Sequence, residues 1–179
     1  MKIEEIEGQQ IIRSERFILR PLRKSDQGLV EMYASDARVA RMTTNIPHPL
    51  PPGSTEQFIE ASLQDTRKED VWVMDGSAHG LAEVLGLIGL TPMDRNQSEI
   101  GYWVAPAFWN TGLASDAVRA IVEANPQGVD TMFGSVFQDN PGSARVLTNC
   151  GFEYLGDAEA FSVARQAKLD TRTYLKKMK

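Results

Sequence analysis

Cysteine and histidine are nearly missing from this chain. One cysteine, Cys150, among 179 residues leaves no partner for an internal disulfide and too few thiols for a cysteine-based metal site. The two histidines, His48 and His79, lie in loop-like surroundings, so no metal chemistry is expected. The same scarcity argues against a serine-nucleophile hydrolase or acyltransferase, and no G-x-S-x-G elbow occurs. No stretch approaches the ~18 uninterrupted apolar residues of a membrane span, so no membrane partner is expected. The opening MKIEEIEGQQ has acidic residues and no apolar core, unlike a signal or transit peptide, so a cytoplasmic protein is expected. Positive charge is also short. Lys and Arg number 19 against 24 Asp and Glu, a net charge of −5, which argues against nucleic acid because phosphates need clustered cations. The basic end Lys176-Lys177-Met178-Lys179 reads as a solvated terminus.

What is present suits one globular domain: 42% of residues are apolar and 24% charged. Residues 1–10 read as a loose extension and 11–179 as the domain. Phe17-Ile18-Leu19-Arg20 reads as a strand stopped by Pro21, and Ser25-Asp26 offers the N-cap of a helix to about Ser35. The segment NIPHPLPPG, Asn45–Gly53, holds four of the nine prolines and must be an extended loop. Ser54 with Gln57 three residues on makes a capping-box start for a helix to about Lys68. Strands are expected over 71–74, 84–91 and 100–104, then a helix whose stripe Leu113, Ala117, Val118, Ile121 and Val122 ends near Asn125-Pro126. A strand over 131–137, a short helix over 143–149 stopped by Gly151, and strands over 152–155 and 171–176 complete the chain. The fold class is therefore α/β (α+β). A meander runs antiparallel, whereas the strand-helix-strand unit over 99–137 must be parallel. Ligands tend to bind beyond the carboxyl ends of such strands.

At that end lies FWNTGLASDA, Phe108–Ala117. A glycine-poor phosphate loop, a plain helix cap and a cradle for another anion all fit these residues. Asn110, Thr111, Gly112, Leu113, Ala114 and Ser115 offer a row of backbone N–H groups at a helix start, with Gly112 free to take a positive φ. No Gly-Lys-Ser/Thr follows, and G-x-G-x-x-G is absent, so neither a Walker loop nor a dinucleotide fingerprint is present.

Together with SVFQDNPGSARVLTNCGFEYLG, Ser135–Gly156, this loop resembles the GNAT superfamily of acyl-CoA-dependent N-acetyltransferases. The family's pyrophosphate motif, Q/R-x-x-G-x-G/A, is matched by Gly112 and Ala114, while Trp109 departs from its first position. That tryptophan, SEIGYWV before the loop, DNPGS and VLTNCGF after it, and VARMTTNIPHPLPPGSTEQFIEA earlier look like the RimJ/RimL-type branch, the ribosomal-protein N-terminal acetyltransferases and their relatives. The resemblance covers about residues 12 to 176.

It implies a single mixed, mostly antiparallel sheet with a splayed parallel central pair, flanked by helices. It implies acetyl-CoA (coenzyme A) as cosubstrate, no metal, and an amine acceptor that is a small molecule or a peptide N-terminus, handled by a monomer or homodimer. The amides of Asn110 to Ser115 would hold the pyrophosphate, the strand ending at Val104 would pair with the pantetheine arm, and Asn140 would contact that arm. Asn140 also reads as an Asx-type cap before Pro141. An amine of pKa ~10 must lose a proton before attack, which calls for a base. Glu99 opens the central strand where related enzymes often place a glutamate. For the acid, many superfamily members use a tyrosine seven residues after the asparagine, but Leu147 stands there. Ser143 matches the branch's serine proposed to meet the thiolate, and it reads equally as a helix cap. Tyr102 is a further choice, alongside a packing role. Cys150 reads as a structural thiol. A non-catalytic acyl-CoA-binding or sensing module of the same fold is the alternative.

Overall fold

A computed structural model describes Ile6 and residues 8–178. The expected loose extension therefore falls largely outside the described residues; within it, Gln9 is buried and its Nε2 donates to the Val71 carbonyl at 2.7 Å. Eight strands form one sheet: β1 (Ile12–Arg13), β2 (Ile18–Pro21), β3 (Asp70–Asp75), β4 (Gly86–Met93), β5 (Gln97–Val104), β6 (Thr131–Phe137), β7 (Glu153–Ser162) and β8 (Ala167–Lys177). Their order across the sheet is β1-β2-β3-β4-β5-β6-β8-β7. Every neighbouring pair is antiparallel except β5 with β6, as the crossover through residues 105–130 requires. The helices are α1 (Gln27–Ala34), α2 (Ala37–Ala40), α3 (Ser54–Ser62), α4 (Leu113–Ala124) and α5 (Pro141–Asn149). Among the described residues no helix is long and apolar enough to cross a membrane.

The helices divide between the two faces of the sheet. Leu113, Ala117, Val118 and Ile121 of α4 and Leu147 of α5 pack with Trp72, Ile88, Ile100 and Met132 in the larger core. On the other face, Val30 of α1 and Ile59 of α3 pack with Val71, Val73 and Leu87. Burying such side chains contributes about 1.5–3 kcal/mol each before the cost of ordering them.

A buried ion cluster ties β2 to β3 and to the turn before α1. Arg20 Nε donates to Asp75 Oδ2 at 2.7 Å, and its two terminal nitrogens donate to the Asp26 carboxylate at 2.9 and 2.8 Å. All three side chains are only 1% exposed. Asp26 precedes α1 as expected, but its carboxylate serves Arg20 and the Arg23 N–H rather than the helix.

Several boundaries differ from the sequence expectation. α3 starts one residue after Gly53, which holds φ +81°, and Ser54 Oγ turns back to the Pro51 carbonyl instead of forming a capping box. It stops at Ser62, because Gln64 to Lys68 are all polar and offer nothing further to bury. β7 and β8 are longer than expected because each supplies the other's backbone partners from Glu153↔Leu175 to Ser162↔Ala167. β1 and α2, of two and four residues, were too short for periodicity to reveal. β7 is a sheet edge and exposes Tyr154, Leu155 and Phe161.

Candidate active site

β5 and β6 pair over only three positions: Gln97↔Thr131, Ser98↔Met132 and Glu99↔Phe133. Beyond Glu99 they part, while each stays paired with its outer neighbour, β4 or β8. A wedge of side chains keeps them apart. Gly134 leaves its Cβ position 3.1 Å from Leu147 Cδ1 and 3.3 Å from Ile100 Cγ2, so α5 and β5 fill the space that a ladder would close. Tyr102 reaches from β5 to α5, where its hydroxyl donates to the Ser143 carbonyl at 2.8 Å. Burial pushes the Tyr102 phenol above its ordinary value, so it stays protonated in that bond.

A cavity of about 500 Å³ runs through this opening toward α1 and α3. Glu99, Tyr102 and Ser143 all line it. Glu99 stands at the last paired position and lines the cavity; its side chain is exposed, and partial burial raises its carboxyl above its ordinary value. A second carboxylate, which sequence reasoning missed, lines the same cavity. Glu69, just before β3, has a raised pKa from burial, with Glu99 among the charges that add to it and a hydrogen bond from Thr91 acting against it. Gly89 makes room for it: a Cβ there would stand 2.6 Å from Glu69 Oε2. A glycine inside a strand was the only sequence mark of that close approach.

The loop that the motif singled out turns as its residues demand. Asn110 and Gly112 hold φ +62° and +81°, and Gly112 is the N-cap of α4. The first N–H groups of a helix have no partner inside it, and no side chain caps this one, so the amides of Leu113, Ala114 and Ser115 remain available to an anion. Arg16, another residue not foreseen, braces the loop. Its guanidinium donates to Asp116 Oδ2 at 2.7 Å and to the Thr111 carbonyl at 2.8 Å, with Nη2 3.3 Å from the Cβ position of Gly112. A guanidinium, paired with Asp116 of the first turn, thus lies beside the helix start. Trp109, at the motif's variant position, donates its indole N–H to the Val104 carbonyl at 2.6 Å. A cofactor arm pairing with β5 at Val104 would take that carbonyl over from the indole.

Asn140 is the N-cap of α5, its Oδ1 accepting from the Ser143 N–H at 3.3 Å. Leu147, in place of the common tyrosine, is 1% exposed and belongs to the core. Cys150 Sγ lies 3.4 Å from the Ser115 carbonyl, and burial raises its thiol, which suits packing of α5 on α4 rather than nucleophilic attack. Among the described residues no group of three or more His, Cys, Asp or Glu is placed to hold a metal.

Residues 16–153 match the family model described as Acetyltransferase (GNAT) domain. The chain belongs to the GNAT acetyltransferase family. It is an acyltransferase whose cosubstrate is acetyl-CoA. Over 175 residues it is 26% identical to the uncharacterized N-acetyltransferase YoaA of Bacillus subtilis (strain 168), covering 92% of this chain and 94% of the relative. The fold is shared with the microcin C7 self-immunity acetyltransferase MccE, solved with acetyl-CoA and AMP, at TM-score 0.76 and 18% identity over 97% of this chain and 96% of that one. It is shared equally with RimL, the ribosomal L7/L12 alpha-N-protein acetyltransferase solved with coenzyme A. There the TM-score is 0.76 at 15% identity over 94% of this chain and 98% of that one.

Proposed function

We propose that this cytoplasmic GNAT domain acetylates a primary amine, a small molecule or a protein N-terminus, by direct transfer within the cavity where β5 and β6 part. The position of Glu99 carries the reading: a carboxylate at the parting point, lining the cavity, with a raised pKa. Acetyl-CoA supplies the thioester carbon and the leaving thiolate. The amides at the start of α4 hold its pyrophosphate, with the helix dipole adding about 0.3–1 kcal/mol, and Asn140 borders the arm. Glu99 takes one proton from the ammonium, directly or through water. The neutral nitrogen then attacks the thioester carbon. The C–N bond forms, the C–S bond breaks, and the second nitrogen proton reaches the sulfur through the Ser143 hydroxyl. Tyr102, tied to the Ser143 carbonyl, holds α5 against β5 beside the cavity that Ser143 lines. The motifs DNPGS and SEIGYWV and the tryptophan before the loop support the RimJ/RimL-type branch.

The test is amine-dependent thiol release from acetyl-CoA over a panel of small amines and N-terminal peptides. Turnover on one of them supports the reading. Stabilisation by acetyl-CoA without thiol release on any amine would favour the non-catalytic module instead.

The acceptor side is braced from the far end of the sheet. Arg165, in the β7–β8 turn, donates to the Asp139 carboxylate and to the Arg41 carbonyl at 3.1 and 2.7 Å, while the Val163 N–H donates to the Thr44 carbonyl at 3.1 Å. Asp139 adjoins Asn140, and Thr44 lies in the loop lining the cavity. Arg165→Met is expected to raise the KM for the amine about tenfold, the size of one charge-assisted hydrogen bond, with little change in the KM for acetyl-CoA. Steady-state kinetics with each substrate varied in turn checks it.

A further inference from the structure

Among the described residues lining the cavity, Glu69 and Glu99 are the only charged ones; no Lys, Arg or His faces it. Their charges form one focus. Glu99 is the cross-strand partner of Thr91, and the Thr91 hydroxyl bonds Glu69 Oε2 at 3.4 Å. One rung further along the same sheet face, Gly89 stands opposite Gly101, where a Cβ would meet nothing within 4 Å. Next come Leu87 and Trp103, and α1 and α3 roof this stretch with Val30, Ala34 and Phe58. Two carboxylates thus stand at one end of a bare floor, with Leu87, Trp103 and Phe58 along it and the uncharged polar side chains of Asn45, Ser54 and Thr55 also lining the cavity.

Resting on the acetyltransferase reading above, we propose that the acceptor is a monocationic primary amine with an apolar body and no carboxylate on the amine-bearing carbon. Its ammonium lies between Glu69 and Glu99, and its body lies over Gly89 and Gly101 against Trp103 and Phe58. A free α-amino acid would bring a third carboxylate beside two others in a cavity with no cation to meet it, a like-charge contact that disfavours it. A polyamine would bring further ammonium groups into a cavity whose described lining holds no third carboxylate to pair them, where an unpaired charge is costly. An amino-terminal residue of a peptide satisfies the same rule as a simple amine, because an amide replaces its carboxylate. Glu69 in this arrangement is a specificity residue, and Glu99 both binds and deprotonates.

The experiment compares kcat/KM for thiol release, at saturating acetyl-CoA, with 2-phenylethylamine, phenylalaninamide, phenylalanine, spermidine and a short peptide beginning with phenylalanine. Acetyl-CoA binding is measured in parallel by calorimetry. The amine, the amide or the peptide is expected to exceed phenylalanine and spermidine by about 100-fold, in keeping with a like-charge or unpaired-charge contact in the wrong complex. Which of the three leads tells a small-molecule source from a protein N-terminus. Phenylalanine or spermidine as the better substrate would overturn the inference and leave the acetyltransferase reading standing. Acetyl-CoA binding with no thiol release in any arm would overturn both. Glu69→Gln is expected to raise the KM for the preferred amine about tenfold and to narrow the discrimination against phenylalanine, with the KM for acetyl-CoA unchanged. Equal effects on both substrates, or none, would count against the assigned role.

Discussion

Glu99→Gln is expected to lower kcat by about 10²–10⁴-fold, the usual weight of a general base, while the KM for acetyl-CoA stays near the native value. The pH dependence distinguishes this from a loss of packing. Burial raises the Glu99 carboxyl, and the base works only when ionised, so native kcat/KM should climb as pH passes that raised value. The glutamine variant should lose this limb and keep only the later rise set by the amine itself, near pKa ~10. An unchanged profile in the variant would place the base elsewhere.

Arg20→Leu is expected to destabilise the protein by about 3–5 kcal/mol at neutral pH, a large part of the ~5–15 kcal/mol that holds a typical domain folded. The guanidinium is the shared partner of Asp26 and Asp75, both 1% exposed, and removing it leaves Asp75 without its cation and Asp26 with only the more distant Arg23 guanidinium at 3.7 Å. Burial alone would raise the Asp75 carboxyl; Arg20 and the Ser77 bonds outweigh it and hold the native group below its ordinary value. That lowered pKa stabilises the native chain above the ordinary carboxylate range and ceases to do so as pH falls through it. In the variant Asp75 has lost that partner and is free to take up a proton instead. The gap between native and Arg20→Leu stability should therefore narrow on acidification. Denaturant unfolding at neutral and acid pH measures both values.

Much of this arrangement was legible in the sequence where the physics is local. The stripe Leu113, Ala117, Val118 and Ile121 defined α4, the apolar run Thr131–Phe137 defined β6, and Gly112 marked the turn before the helix. The crossover rule fixed the one parallel pair. What stayed hidden depends on contacts between distant residues. Glu69 reads as one more charge in a polar stretch until β3 and β4 set it over Gly89 beside Thr91. Arg16 meets Asp116 across 100 positions, and Arg165 meets the Arg41 carbonyl across 124, so no window of sequence holds either pair. Tyr102 and Asn140 were each legible as two things at once. The structure gives the phenol a carbonyl on α5 and the asparagine a capping bond, with both beside the opening between the strands.

The most direct measurement is a crystal structure with a non-transferable thioether analogue of acetyl-CoA. The pyrophosphate is expected at hydrogen-bond distance, about 2.7–3.2 Å, from the amides at the start of α4. The acyl carbon is expected between β5 and β6 beyond Glu99, facing the cavity that holds both carboxylates. A pyrophosphate bound instead in the second cavity, beside Arg145 and Arg172 on the far side of α5, would contradict the account.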